Sequence, residues 1–107
     1  IPGHGTLGAA KSAMETMVRY LASELAPKRV RVNAVNPGYV DTDSARFYAG
    51  PDFRRRFEEE WVPSIPAGRL AAPEEVAGVI TFLCSSDASY VYGQTLLVDG
   101  GLLLGRL

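Results

Sequence analysis

The stretch Arg29-Val30-Arg31-Val32-Asn33-Ala34-Val35-Asn36-Pro37-Gly38-Tyr39-Val40-Asp41-Thr42 decides how the chain is read. Val30, Val32 and Ala34 fall on one face, and a period of two with β-branched residues predicts a strand over Arg29 to Val35. Asn36-Pro37-Gly38 should end it. Pro37 presets φ and Gly38 can take φ > 0, the chemistry of a type II turn. In open α/β sheets ligands sit beyond the carboxyl ends of the strands. Residues 36–42 are therefore a candidate ligand loop. Gly38 would let backbone approach a ligand, and Thr42 would offer a hydroxyl and backbone groups near a helix start. Pro-Gly is common in loops, so a plain turn is an equally good reading of these residues.

Upstream, Met14, Met17, Val18, Leu21, Ala22 and Leu25 form the stripe of an amphipathic helix, with the two methionines expected in its core. The helix should start near Thr6 to Gly8 and stop before Pro27. Downstream, Asp41 to Pro66 is polar and aromatic, and is broken by Gly50, Pro51, Pro63 and Pro66. One or two short helices are expected there, the second within Asp52 to Val62, forming a mobile lobe. Arg54, Arg55 and Arg56 followed by Glu58, Glu59 and Glu60 predict a solvated helix face with intrahelical ion pairs. Ala72-Pro73-Glu74-Glu75 starts another helix, since Pro is tolerated in a first turn and acids suit the positive helix end. Val76, Val79, Ile80 and Leu83 are its buried stripe, which also takes in Cys84 as a structural thiol. Thr95 to Val98 is a short apolar run between turn residues, as in a parallel strand buried on both faces. Helix, strand, helical lobe, helix and strand make an α/β pattern with crossover helices. Two strands are too few for a stable parallel sheet, and the chain opens on Ile1 rather than Met, so further strands are expected upstream.

Composition narrows the function. The chain has 107 residues, 47% of them hydrophobic, which suffices for one partial domain with a core. A net charge of −1 gives no field to hold nucleic acid or an anionic membrane. No run approaches a membrane span. The single cysteine forms no internal disulfide, no Cys/His cluster has metal-ligand spacing, and a reducing cytoplasm fits.

Lys11 sits near the start of the first helix, where it opposes the helix dipole. A surface lysine is the plain reading. The segments Gly8-Ala9-Ala10-Lys11-Ser12-Ala13-Met14-Glu15, Arg19 to Pro27, Arg29 to Thr42, Pro66-Ala67-Gly68-Arg69 and Gly93 to Gly101, in that order, resemble the second half of the short-chain dehydrogenase/reductase family. The resemblance implies the C-terminal half of a doubly wound, parallel-sheet Rossmann-type domain, with residues 43–64 as a variable substrate lobe. It implies hydride transfer between NAD or NADP and an enoyl or keto group, with acyl thioesters and fatty acid biosynthesis as the expected context. It assigns Lys11 to the nicotinamide ribose and to lowering the pKa of a catalytic Tyr. Pro37, Gly38, Val40 and Thr42 would line the cofactor. The glycine-rich phosphate loop would lie upstream. Asp99-Gly100-Gly101 and Leu102-Leu103-Leu104 resemble the family's subunit-contact region, which implies a homo-oligomer, dimer or tetramer.

The chain departs from the family at the Tyr. The usual position, four residues before the Lys, holds Leu7. A branch that includes some enoyl-acyl carrier protein reductases carries Tyr seven residues before, and His4 stands there. Gly5-Thr6-Leu7-Gly8-Ala9-Ala10 is similar to that branch. Steps of four and seven return to one helix face. His4 is either the proton donor in place of the phenol or a loop residue. In the second case either the proton comes from elsewhere or the chain belongs to an impaired member that acts as a binding or assembly subunit.

Overall fold

A computed structural model describes residues 3–104. Its elements are helix α1 (Gly5–Leu25), strand β1 (Ala34–Pro37), helices α2 (Asp43–Ala49), α3 (Phe53–Arg56) and α4 (Pro73–Cys84), and strand β2 (Thr95–Val98). The Ala34 N–H donates to the Gln94 carbonyl at 2.8 Å, and the Gly38 N–H to the Val98 carbonyl at 3.0 Å. Equal forward steps on both strands make the β1–β2 pair parallel. The expected α/β class with a parallel sheet is what forms.

The chain makes two compact units. The first contains residues up to Ala34 together with Phe82–Leu96. In it α1 ends where Ala26–Lys28 tightens into a 3-10 turn with Pro27 near its start, and Arg29 turns left-handed at φ 59°. That turn explains why β1 begins at Ala34 and not at Arg29. Residues 31–33 are held by the Arg31 and Asn33 side chains and by the Val32 carbonyl, which accepts the Gly93 N–H at 2.9 Å. The Arg31 guanidinium donates to the carbonyls of Leu83 (3.0 Å), Ser85 (3.0 Å) and Ala88 (2.6 Å). These carbonyls lie at the α4 C-terminus and in the turn after it, where those of Ser85 and Ala88 also accept the N–H groups of Ala88 and Val91. The Asn33 amide donates to the Val91 carbonyl at 2.9 Å, and its oxygen accepts the Gln94 N–H at 3.0 Å. Ala22, Leu83 and Ala88 are the buried apolar residues of this unit.

Three burial expectations fail among the described residues. Met14 and Met17 are 56% and 58% exposed, so the methionines of the α1 stripe are not core. Cys84 is exposed rather than buried, and so is Ile80. Leu97 is 47% exposed, so β2 is not covered on both faces. The cause is common to all: the periodicity marks faces able to be buried, and the sheet of the described residues has two strands to bury them.

The second unit holds Val35–Thr81 and residues from Leu97 on. Its lobe is more helical than the Gly and Pro punctuation suggests. α2 passes through a 3-10 turn at Gly50–Asp52 into α3, a π-turn over Phe57–Trp61 and a further 3-10 turn at Val62–Ser64. Pro51 and Pro63 each lie in the first turn of a short helix, where the missing N–H costs nothing, and Pro66 lies in the turn after the last of them. The Arg/Glu run forms the expected i,i+4 pairs, Arg54–Glu58 at 3.1 Å, Arg55–Glu59 at 3.6 Å and Arg56–Glu60 at 3.2 Å. Ile65, Leu70 and Ala49 are buried.

The start of α4 is the best-defined polar feature. Glu75 Oε2 accepts the Ala72 N–H at 2.8 Å, half of a capping box. The same carboxylate takes a bidentate bond from Arg69, at 2.7 and 2.8 Å. The Arg69 bonds, then the Ala72 N–H, pull the Glu75 carboxyl down from 4.5 to about 2. A depressed carboxyl stabilises the fold above its unfolded value and loses that contribution as pH falls through the folded one. Glu75→Gln should therefore lower the melting temperature at neutral pH. The gap to wild type should close between pH 4.5 and about 2, as read from thermal melts across that range.

Candidate functional site

His4 precedes α1 as its N-cap residue, with φ −104° and ψ 20°. Its carbonyl accepts the Gly8 N–H at 2.9 Å, the first bond of the helix. Lys11 follows two turns later on an exposed surface. Residues seven apart return to nearly the same helix face. By that repeat positions 4 and 11 fall on one flank, although His4 itself caps the helix and has non-helical dihedrals. The first turn of α1 has no acidic residue, so the helix end remains electropositive there.

In the second unit, Pro37, Gly38, Val40 and Thr42 follow one another out of β1, and residues 38–40 are fixed by Asp99 and by Ala71. Gly38 backs onto Asp99: a Cβ built on it would lie 2.8 Å from both Cα and Cβ of Asp99. Gly38 is not among the glycines with positive φ, so the expected type II turn does not form. Glycine is required by the close approach of backbone to backbone, and Pro37 is the last residue of β1 rather than part of a turn. Tyr39 accepts the Ala71 N–H at 3.0 Å through its carbonyl and stacks its ring on Trp61, with centroids 5.1 Å apart and planes within 4°. Val40 forms a parallel bridge with Ala71, and the Asp41 N–H donates to the Ala71 carbonyl at 2.9 Å.

Thr42 is the N-cap of α2, its hydroxyl oxygen accepting the Ala45 N–H at 3.1 Å. That bond uses a lone pair and leaves the hydroxyl hydrogen for another acceptor. Asp99 accepts the Gly101 N–H at 2.9 Å and the Leu103 N–H at 2.8 Å, which holds a turn whose glycines have φ 62° and 90°. Tyr39, Ala71 and Asp99 border a hollow of about 100 Å³, too small for a dinucleotide. Asp99, Ala71 and Trp61 are the supporting residues that sequence reasoning missed. Asp99-Gly100-Gly101 is legible as a turn, but its apposition to Gly38 is not. Among the described residues no cluster of His, Cys, Asp or Glu could hold a metal, and no helix is long and apolar enough to cross a membrane.

Parallel strands, a crossover helix and a structured loop leaving the end of the first strand define the doubly wound α/β class. Within that class the chain belongs to the short-chain dehydrogenase/reductase family: residues 1–103 match the family model described as Enoyl-(Acyl carrier protein) reductase. The chain is 40% identical over 106 residues to the 3-oxoacyl-[acyl-carrier-protein] reductase MabA of Mycobacterium bovis, covering 99% of this chain and 41% of that protein. A crystal structure of a short-chain dehydrogenase/reductase from Brucella melitensis superposes with a TM-score of 0.85 at 41% identity, over 95% of this chain and 39% of that one. YwfH, an NADPH dependent reductase involved in bacilysin biosynthesis, superposes with a TM-score of 0.79 at 31% identity, over 89% of this chain and 38% of that one. The chain thus spans about two fifths of the length of these proteins.

Gly38→Ala should destabilise the fold by about 1–3 kcal/mol, the usual cost of forcing a methyl into filled space. Gly78→Ala, inside α4 with nothing within 4 Å of the new carbon, should stabilise it by about 0.5–1 kcal/mol. Urea denaturation of the two variants beside wild type reads both signs.

Proposed function

We propose that this chain is the nicotinamide-side half of an oxidoreductase domain that reduces an enoyl or keto group, with an acyl thioester as substrate. The observation that carries the reading is the match to the family model over residues 1–103, in a chain where Lys11 lies on α1 and His4 stands seven residues before it as the helix cap. The enoyl and 3-oxoacyl reductases among its relatives favour acyl thioesters. NAD or NADP is the cofactor, and the NADPH dependence of YwfH leans towards the latter. The donor set suits such a group. Lys11 presents an exposed ammonium in the first unit; in the second, Thr42 keeps a hydroxyl hydrogen and Pro37 and Val40 are apolar.

When bound, the nicotinamide supplies the hydride. Lys11 donates hydrogen bonds to ribose hydroxyls and places a cation beside the proton donor. Pro37, Gly38 and Val40 form a fixed wall for the ring, and Thr42 donates to its amide side. His4, as imidazolium, would give its proton to the oxygen or carbon that the hydride leaves negative and be left as neutral imidazole. The lobe over residues 43–64 contributes the acyl contacts. Leu103 and Leu104 are exposed, which suits burial against a second subunit of a cytoplasmic homo-oligomer.

A neighbouring cation stabilises a phenolate and opposes an imidazolium. In a protein carrying the whole domain, His4→Tyr should therefore raise the reductase rate. It should also move the alkaline limb of the rate profile to higher pH, because phenol holds its proton further up the scale than imidazole. Steady-state rates against pH, with enoyl and keto thioesters and each nicotinamide cofactor, provide the measurement. Two active proteins with the same profile would show that position 4 does not carry the proton. Activity only in the Tyr variant would mark the wild type as a binding or assembly subunit.

A further inference from the structure

We infer that Trp61 is a positioning residue for the cofactor loop: its indole, stacked on the Tyr39 ring, ties the helical lobe to residues 38–42 and so sets cofactor affinity from within the lobe. The inference rests on the reading that this loop lines the cofactor.

Both rings are held from behind. The Tyr39 backbone is fixed by the Ala71 N–H, and its neighbours by Asp99 and by the Val40–Ala71 bridge. The Tyr39 backbone is thus fixed from the side of Ala71 and Asp99, and its ring from the side of Trp61. Trp61 closes the π-turn Phe57–Trp61, in which the Val62 N–H reaches back five residues to the Phe57 carbonyl. Such turns insert one extra residue into a helix, shift the direction of side chains, and cluster at functional positions. Phe53 meets the indole edge-on at 6.0 Å and 82°, the Arg56 guanidinium lies 5.7 Å from its centre, and the Ser64 hydroxyl donates to the Trp61 carbonyl at 2.7 Å.

One face of the indole is thus committed to Tyr39, while its other surroundings all come from the lobe. Tyr39 lies between Gly38 and Val40, two of the proposed cofactor-lining residues. Removing the indole leaves the loop attached to Ala71 and Asp99 but lets the lobe move independently. A loop that samples more orientations binds the same cofactor more weakly, because the competent orientation is only a fraction of the population.

The test is equilibrium binding of reduced nicotinamide cofactor, followed by calorimetry without turnover, in a protein carrying the whole domain. Trp61→Ala should raise the dissociation constant about two- to tenfold, the range expected for an aromatic pair. Trp61→Phe, which keeps a ring at the stack, should restore most of the affinity. Tyr39→Leu reaches the same contact from the other side if Trp61→Ala does not fold, and should weaken binding to a similar degree. In the Tyr39→Leu background, Trp61→Phe should change nothing further. Unchanged binding in the Trp61 and Tyr39 variants, or losses that simply add, would overturn the inference. Lys11→Ala separates it from the reading beneath it. If Lys11→Ala binds cofactor as wild type does, the cofactor site itself is misassigned. If Lys11→Ala loses binding while Trp61→Ala keeps it, only the positioning role fails.

Discussion

The close approach of Gly38 to Asp99 is the constraint on which the second unit depends. Space for a side chain at position 38 does not exist, because the Asp99 backbone occupies it. That contact puts the end of β1 against the end of β2, where the Gly38 N–H meets the Val98 carbonyl. The Asp99 carboxylate then uses both oxygens to hold the following turn. The Gly100 carbonyl accepts the Ala67 N–H at 3.0 Å, which brings in the segment leaving the lobe. From there Arg69 and Glu75 carry the order to the start of α4. A single side-chain-free position thus sets the geometry of the loop, the lobe exit and the crossover helix.

The same constraint shows why parts of the architecture were readable in the sequence and parts were not. α1, α4 and β2 were legible because local chemistry decides them: helical periodicity, Pro73 with two acids at a helix start, and a short apolar run between glycines. β1 lies further along than its alternating valines suggest. The left-handed Arg29 and the Arg31 and Asn33 side-chain bonds occupy the preceding residues, and no local pattern announces bonds to carbonyls more than fifty residues away. Burial was misread at Met14, Met17 and Cys84 because periodicity reports which face can be covered, not whether anything covers it.

The candidate site was legible unevenly for a related reason. The His4–Lys11 spacing is a property of a single helix and its cap, so sequence alone places the two positions on one flank. Pro37, Gly38, Val40 and Thr42 lie in one loop, but the type II turn expected at Pro37-Gly38 does not form: the missing side chain of Gly38 makes room for Asp99, and its φ is not positive. Thr42 does stand at a helix start, as its place before Asp43 suggests. Trp61 escaped notice because its significance lies in a stacked partner twenty-two residues earlier and in a π-turn that residue propensities do not signal.

The central claim is that residues 37–42 form a rigid wall on which the nicotinamide end of the cofactor rests. Backbone amide shifts in an isotope-labelled protein carrying the whole domain test it most directly, recorded as reduced nicotinamide cofactor is added. The account predicts saturable shifts concentrated at Gly38, Val40 and Thr42 and on the α1 turn around Lys11, with little change on the exposed Arg54–Glu60 face. Saturable binding that leaves the amides of residues 38–42 unmoved would contradict it.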